Sequence, residues 1–295
     1  QGGNIFGCGD PLRPGFVSFS KNFQPDSAPD NYSIELCAPS TPLLGGEILN
    51  GNSYVASTDK WWRLQPSFGS VNQYTPIEAP VGRGLAAPYG HTTDGSRIFF
   101  VAKDGIYATS GSKGISLTDG DYYNLFPHDG VPGANVTYNG VTTYAPDYGR
   151  AETFRLAYCN NYLFFDYQDA SGTPRNMVFD VRHGGWSTDV ILGGVGASIH
   201  YAIEQQEGSL GSADANYGLL IVGSSNGNLY REVDNAVDGT IPIQCYLATN
   251  EMTAGDERAQ KLFGDVFLDL INPAAAAATN FVVSCMSLGT PFQTT

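Results

Sequence analysis

The sequence predicts an all-β chain, a β-propeller-like repeat of four-stranded blades followed by a small β-module. A hairpin pattern recurs about every 40–60 residues, roughly the spacing expected of propeller blades. Each copy has an apolar strand, a turn of residues that tolerate positive φ, and a second strand rich in aromatic side chains. Hairpin units repeated in series are typical of repeat β-architectures, of which the propeller is a closed form.

The turns of four such hairpins can be placed in chain order, at Asn50-Gly51, Asp104-Gly105, Asn160-Asn161 and Asn226-Gly227. Positive φ is expected at Gly105 and Gly227, because two-residue and bulged hairpin turns need it. A further strand pair is expected on either side of residues 170–174, in a unit that ends at Trp186. About five blade-like units fit before residue 240, at roughly 40–45 residues per blade.

Segments without alternating hydrophobicity are interpreted as connections. Residues 65–85 and 124–150 are punctuated by Pro and Gly and are predicted to be long loops. Residues 259–270 fit both helical spacing and strand alternation, and Gly264 favours the strand. The predicted domains are a propeller-like domain over residues 1–240 and a C-terminal β-module over residues 241–295. Helix is expected in under about 10% of the chain, well below the usual share.

The charge balance argues against several classes of partner. The formal net charge is −14, and the longest cationic cluster is Lys60 to Arg63, with two tryptophans between. Tight binding to nucleic acid is not expected, because neutralising phosphates needs clustered Lys and Arg. An acidic surface can instead repel DNA from a channel wall. No apolar stretch approaches 18 residues, so no membrane span is expected.

The cysteines do not form a recognisable framework. They are odd in number and no CxxC pair occurs, so a zinc ribbon or thioredoxin-type site is excluded. Small buried thiols are expected, as in a protein that folds in a reducing cytoplasm. The five are Cys8, Cys37, Cys159, Cys245 and Cys285.

No residue pattern predicts catalysis, a metal or a cofactor. No HExxH, GxSxG, Walker A or GxGxxG motif occurs. The histidines are isolated from one another and are interpreted as loop or surface residues: His91, His128, His183 and His200. Two carboxylate pairs are close in sequence, Asp119/Asp121 and Asp166/Asp169. Asp119 and Asp121 are interpreted as turn residues, with a calcium loop as the alternative.

Three tryptophans follow the ends of predicted hairpins, namely Trp61, Trp62 and Trp186. Packing between adjacent blades is the favoured interpretation, because large aromatic side chains dominate such contacts. The alternative is that they stack on sugars.

Several short motifs together resemble one family. The first series is Phe19-Ser20-Lys21, Pro25-Asp26-Ser27-Ala28-Pro29, Asn31-Tyr32, Glu35-Leu36 and Pro39-Ser40-Thr41-Pro42-Leu43. The second is residues 99–109 with Ile115 to Asp119 and Leu125-Phe126-Pro127, and the third is Val178 to Val181 with Gly185-Trp186. Arg258, Lys261 and the residues after them add a fourth. These motifs resemble the propeller tail hub, or DNA-stabilisation, proteins of short-tailed bacteriophages, which are of the tail-nozzle type.

The resemblance implies a structural virion protein without a catalytic centre or cofactor. It implies a ring of copies around a DNA passage, attached to the portal or adaptor and to other tail proteins. Such a subunit is made in the host cytoplasm and resides in the virion tail. The main alternative is a carbohydrate-binding or glycan-cleaving propeller that uses Trp61, Trp62 or Trp186.

Overall fold

The computed structural model describes residues 4–67, 74–120, 122–138, 141–159 and 161–189, and the short segments 221–223, 229–231, 237–238, 241–242, 284–287 and 290–294. Contacts divide the chain into two compact units. The first comprises Gln1–Thr137 and Thr142–Ile243, and the second comprises Tyr138–Val141 and Gln244–Thr295. The domain limits predicted from the sequence stay a prediction.

The first unit begins with a three-stranded antiparallel sheet, which we call the N-terminal sheet. Its strands are β1 (Phe6–Gly7), β2 (Phe16–Phe19) and β3 (Ser33–Glu35), in the order β1-β2-β3. Val17 and Phe19 are buried on the face that packs against the next sheet.

Three four-stranded sheets follow. Sheet I contains β4 (Leu43–Leu49), β5 (Asn52–Ser57), β6 (Trp61–Pro66) and β7 (Tyr74–Ala79). Sheet II contains β8 (His91–Thr93), β9 (Ile98–Ala102), β10 (Gly105–Thr109) and β11 (Ile115–Ser116). A small hairpin, β12 (Val136–Tyr138) with β13 (Val141–Thr143), precedes sheet III. Sheet III contains β14 (Arg155–Cys159), β15 (Tyr162–Gln168), β16 (Pro174–Asp180) and β17 (Gly185–Asp189).

Each four-stranded sheet is an up-and-down antiparallel meander in which neighbours in sequence are neighbours in space. The first strands lie together, because β8 contacts both β4 and β14. The amide of Leu156 on β14 donates to the carbonyl of Tyr89, just before β8, at 3.0 Å. Blades of a propeller are four-stranded sheets of this kind, with their inner strands side by side. The predicted all-β, blade-repeat fold class is confirmed.

Sheet II is buried on both faces. Along β9, Ile98, Phe100 and Ala102 face sheet I, whereas Phe99 and Val101 face sheet III. All five residues are fully buried, which follows from side chains alternating across a strand between two neighbouring sheets. We call the contact between sheets I and II the first seam and the contact between sheets II and III the second seam.

The predicted hairpins are confirmed where the structure describes them. Asn50 and Gly51 form the β4–β5 turn with φ of 48° and 74°, the double positive φ of a type I′ turn. Gly105 has φ of 148°, and the two-residue loop it follows is Lys103-Asp104. Asn161 has φ of 67° in the β14–β15 turn. Gly227 lies outside the described residues.

Two predicted loops contain strands. Residues 65–85 were predicted to be a connection, but they include β7, whose Pro76 pairs with Leu64. Proline lacks an amide hydrogen, and it is tolerated here because β7 is the outer strand of its sheet. Residues 124–150 likewise contain the β12–β13 hairpin. Both predictions of long loops were wrong because Pro and Gly were interpreted as breaks.

The remaining strands form short antiparallel pairs. In the first unit, β18 (Ile221–Gly223) pairs with β19 (Leu229–Arg231) as predicted, and β20 (Val237–Asp238) pairs with β21 (Ile241–Pro242). In the second unit, β22 (Ser284–Ser287) pairs with β23 (Thr290–Thr294). The predicted strand within residues 259–270 lies outside the described residues.

Helix in the described ranges is confined to two 3₁₀ segments, Tyr123–Leu125 and Tyr148–Thr153. Neither is long enough to cross a membrane, and the described residues contain no membrane-spanning helix.

Candidate functional site

A cleft of about 130 Å³ opens beside the first seam. We call it the rim cleft; its lining residues are Thr58, Asp59, Gly82, Arg83, Gly84 and Lys103. They come from the β5–β6 turn, the connection after β7 and the β9–β10 turn. None of them stands out as a functional residue in the sequence alone.

Backbone packing forms one wall of the rim cleft. The amide of Leu85 donates to the carbonyl of Ser57 at 2.8 Å, which holds the connection against the β5–β6 turn. A Cβ atom on Gly84 would overlap the Thr58-Asp59 peptide, so only glycine allows this approach. The position of Arg83 is thereby fixed relative to Asp59.

Two ion pairs lie at the rim cleft. Lys103 Nζ contacts Asp59 Oδ1 at 2.8 Å, and both side chains are largely exposed, 66% and 48%. Arg83 Nε donates to Asp104 Oδ2 at 2.8 Å, and its Nη1 donates to the Gly82 carbonyl at 3.0 Å. The hydrogen bond and charge of Asp104 raise the pKa of Arg83. Asp104 Oδ1 is buried without a hydrogen-bond partner among the described residues.

A histidine–carboxylate contact joins the first strands of sheets I and II. His91 Nδ1 on β8 lies 2.9 Å from Glu47 Oε1 on β4, and the two side chains are 15% and 21% exposed. Gly45 leaves room for the imidazole, since a Cβ there would overlap His91 Nε2. The interpretation of His91 as a loop or surface residue was therefore wrong. Its burial depends on a partner 44 residues away in sequence.

The other histidines follow the prediction where they are described. His128 lies in a loop, where its Nδ1 is 3.0 Å from the Phe126 carbonyl. His183 is 80% exposed in a turn, beside Asp180. The hydrogen bond with His183 lowers the pKa of Asp180. His200 lies outside the described residues.

Asp166 and Asp169, one of the carboxylate pairs noted in the sequence, both accept hydrogen bonds in and beside sheet III. Asp169 sits in the β15–β16 turn, where its carboxylate accepts hydrogen bonds from Ser171, Thr173 and Arg175. Burial by itself raises the pKa of Asp169, but those hydrogen bonds outweigh it and the pKa is lowered. Asp166 lies on β15 and accepts from Asn176 Nδ2 at 2.9 Å.

Within the described residues, no group of three His, Cys, Asp or Glu is placed to hold a metal, and the calcium-loop alternative stays a prediction. Asp119 is exposed next to Gly120, whose φ is 93°, as expected for a turn. Asp121 lies outside the described residues.

The tryptophans pack between or within sheets, as the favoured interpretation predicted. Trp61 is fully buried, with its ring 5.2 Å edge-on from Phe100 across the first seam. Trp62 is 8% exposed in the core between sheet I and the N-terminal sheet. Trp186 is half-buried, and its Nε1 donates to the Leu117 carbonyl at 2.7 Å across the second seam. Trp61 and Trp62 therefore cannot stack on a sugar without rearrangement.

The three described cysteines differ in burial. Cys159 is buried, and Cys8 and Cys37 are half-buried. Burial raises the pKa of the Cys8 thiol. Cys245 and the side chain of Cys285 lie outside the described part of the chain.

One sequence signal could have revealed the residues at the first seam. Asp59 and Lys103 are 44 residues apart, and so are Glu47 and His91. In each pair the two residues lie at corresponding places in sheets I and II, whose corresponding strands begin about one blade length apart. Residues able to pair, such as Lys with Asp or His with Glu, at about this separation are therefore candidates for contact across the first seam.

Comparison with known proteins adds little. No protein-family model matches the chain, and no curated protein matches it. A solved structure with some likeness is TolB from Acinetobacter baumannii, at 14% identity and a TM-score of 0.27. The match covers 77% of this chain and 62% of that one. A TM-score this low does not establish a shared fold, so the likeness assigns neither fold nor function.

Proposed function

We propose that the chain is a structural subunit of a bacteriophage tail, of the hub or nozzle type, which forms a ring of copies around the DNA passage. The observation that carries the proposal is that two of the motifs resembling the tail proteins coincide with strand–turn–strand units of the fold. Residues 99–109 form the β9–β10 hairpin, and Val178 to Trp186 spans the turn that joins β16 to β17. These two motifs thus belong to four-stranded, blade-like sheets.

The side chains that an enzyme or lectin would present are used for structure in the described residues. Trp61 and Trp186 join neighbouring sheets, and Asp169 closes a turn. Large aromatic contacts and satisfied carboxylates favour a rigid scaffold over a reaction centre. This use of side chains supports a role in assembly rather than catalysis.

The charge supports a DNA passage that does not retain DNA. The chain has 29 acidic and 15 basic residues. A surface of one sign produces a field that repels a polyanion. We propose that the partners are further copies, the portal or adaptor and other tail proteins, and that the protein resides in the virion tail.

Binding to duplex DNA tests the proposal. The purified chain, titrated into labelled duplex at about 50 and 200 mM salt, is expected to show no salt-sensitive binding. A protein that contacts several phosphates loses affinity steeply over that range. Tight binding that weakens with salt would contradict the non-adhesive passage.

Glycan assays test the alternative class in the same preparation. We expect polysaccharides to remain intact and a glycan array to show no signal. If the polysaccharides are hydrolysed and substitution of one carboxylate abolishes that activity, the chain is a glycosidase and the structural proposal is wrong.

A further inference from the structure

We propose that the rim cleft binds one oxyanion group, a carboxylate or a phosphate, held by Lys103 and Arg83. This site is independent of the ring proposal, because it depends only on side chains of one chain.

The rim cleft offers hydrogen-bond donors that its own contacts do not use. Lys103 Nζ has three N–H bonds and contacts one acceptor, Asp59. Arg83 has five N–H bonds: Nε donates to Asp104, Nη1 donates to the Gly82 carbonyl, and the guanidinium also interacts with Tyr107, whose ring centroid lies 5.8 Å from Cζ. Charged donors form the stronger hydrogen bonds with carboxylate and phosphate oxygens. Both cations line the rim cleft of about 130 Å³, and each has N–H groups beyond the contacts just given.

The rim cleft already holds a carboxylate, that of Asp59. Its contact with Lys103 marks a position that an oxyanion oxygen can occupy. Ion pairs this exposed contribute little to stability, so the Asp59 side chain can turn to solvent at small cost. An incoming oxyanion would take its place on Lys103, with a second oxygen toward Arg83. The Asp59 carboxylate therefore competes with the incoming oxyanion for Lys103.

The Arg83 side of the rim cleft is more firmly held. Its partner carboxyl, Asp104, is 29% exposed, against 48% for Asp59. The guanidinium is held at Nε by Asp104 and at Nη1 by a backbone carbonyl, and the approach at Gly84 fixes the backbone beside it. A donor that is already positioned loses less freedom on binding. Exchange is therefore expected at Lys103, while Arg83 stays in place.

The experiment is a titration of the ¹⁵N-labelled full chain with sodium acetate and, separately, inorganic phosphate. Amide shifts are recorded by NMR, with NaCl adjusted to hold the ionic strength constant. Saturable shifts are expected at residues 82–84 and at Lys103. Lys103→Gln and Arg83→Gln should each weaken binding about 10-fold or more, the usual effect of losing a charged hydrogen bond. Asp59→Asn should tighten binding several-fold, because the competitor is removed.

Lys60 and Glu78 provide matched controls, since their ion pair at 2.9 Å is similarly exposed but joins the β5–β6 turn to β7, and neither residue lines the rim cleft. Lys60→Gln and Glu78→Gln change the same net charge and should leave both affinities unchanged. Saturation by acetate but not phosphate assigns a carboxylate ligand, and tighter binding of phosphate assigns a phosphate. Shifts that do not saturate, or equal effects in the Lys60 and Lys103 variants, would overturn the site.

Discussion

The two seams of sheet II are closed by different means. The first seam combines an aromatic core around Trp61 and Phe100 with two polar contacts across it, the Asp59–Lys103 ion pair and the Glu47–His91 contact. The second seam has a larger apolar core, and polar groups cross it mainly as side-chain bonds to backbone carbonyls. Within the described ranges, no ion pair joins sheet II to sheet III.

The two seams differ in how accessible their polar contacts are to water and other partners. At the second seam, Tyr148 Oη donates to the Ala102 carbonyl at 2.8 Å, and burial raises the pKa of that tyrosine strongly. Water does not compete well for such a bond. At the rim of the first seam, exposed charges lie beside an open cleft. We infer that the second seam secures the blades, and the rim of the first seam is free to exchange partners.

The largest effect is expected from Phe99→Ala at the second seam. Phe99 is fully buried and stacks on Tyr158 of sheet III with centroids 5.9 Å apart. Removing the ring should lower the free energy of unfolding by about 3–5 kcal/mol, measured by denaturant titration. Ile115→Ala, at a 69% exposed position of the same sheet, should change it by about 0.5 kcal/mol or less. Similar losses in both variants would contradict the assigned core.

Asp169→Asn tests whether ion pairs matter when they are buried. The side chain of Asp169 is 5% exposed and bonds Arg175, so its loss should destabilise by roughly 1.5–3 kcal/mol at pH 7. The pKa of Asp169 is lowered on folding, so its contribution is complete above the unfolded pKa of about 4 and is lost as pH falls through the folded pKa. The stability gap between wild type and variant should narrow below about pH 4. A stability difference between wild type and Asp169→Asn that is constant down to pH 2 would refute the lowered pKa of Asp169.

Tyr148→Phe sharpens the comparison at the second seam. The variant keeps the ring but removes the hydroxyl that donates to the Ala102 carbonyl, which also pairs with Gly105 across the β9–β10 turn. We expect a loss of about 1.5 kcal/mol in the free energy of unfolding, the upper end for one intramolecular hydrogen bond. Tyr162→Phe, at a 43% exposed tyrosine, is the matched control and should be nearly neutral. Equal stability of the two variants would show that the bond contributes nothing.

The smallest effect on stability is expected from Lys103→Gln. Both members of its pair with Asp59 are more than a third exposed, so solvent and salt screen the interaction. The free energy of unfolding should fall by about 0–1 kcal/mol, and the difference should shrink at high salt. A loss as large as that of Tyr148→Phe would show that the rim pair stabilises the fold, and would remove the distinction between the seams.

Local patterns in the sequence predicted the hairpins because their causes are local. Asn50-Gly51 forms its turn through backbone preferences of two adjacent residues, and the apolar run 98–102 is a strand buried on both faces. Strand β7 was missed because Pro76 suggests a loop unless its outer place in the sheet is known. His91 was misjudged for the same kind of reason, since its partner is 44 residues away. The rim cleft is formed by three separate turns, so no single segment reveals it.

Electron microscopy of the native assembly tests the central claim most directly. Negative-stain images of particles that contain this protein, with the chain located by a bound antibody fragment, should show a ring of copies below the portal around the DNA passage. The proposed structural role predicts that ring. Particles in which the antibody fragment marks isolated single copies, or no virion tail at all, would contradict it.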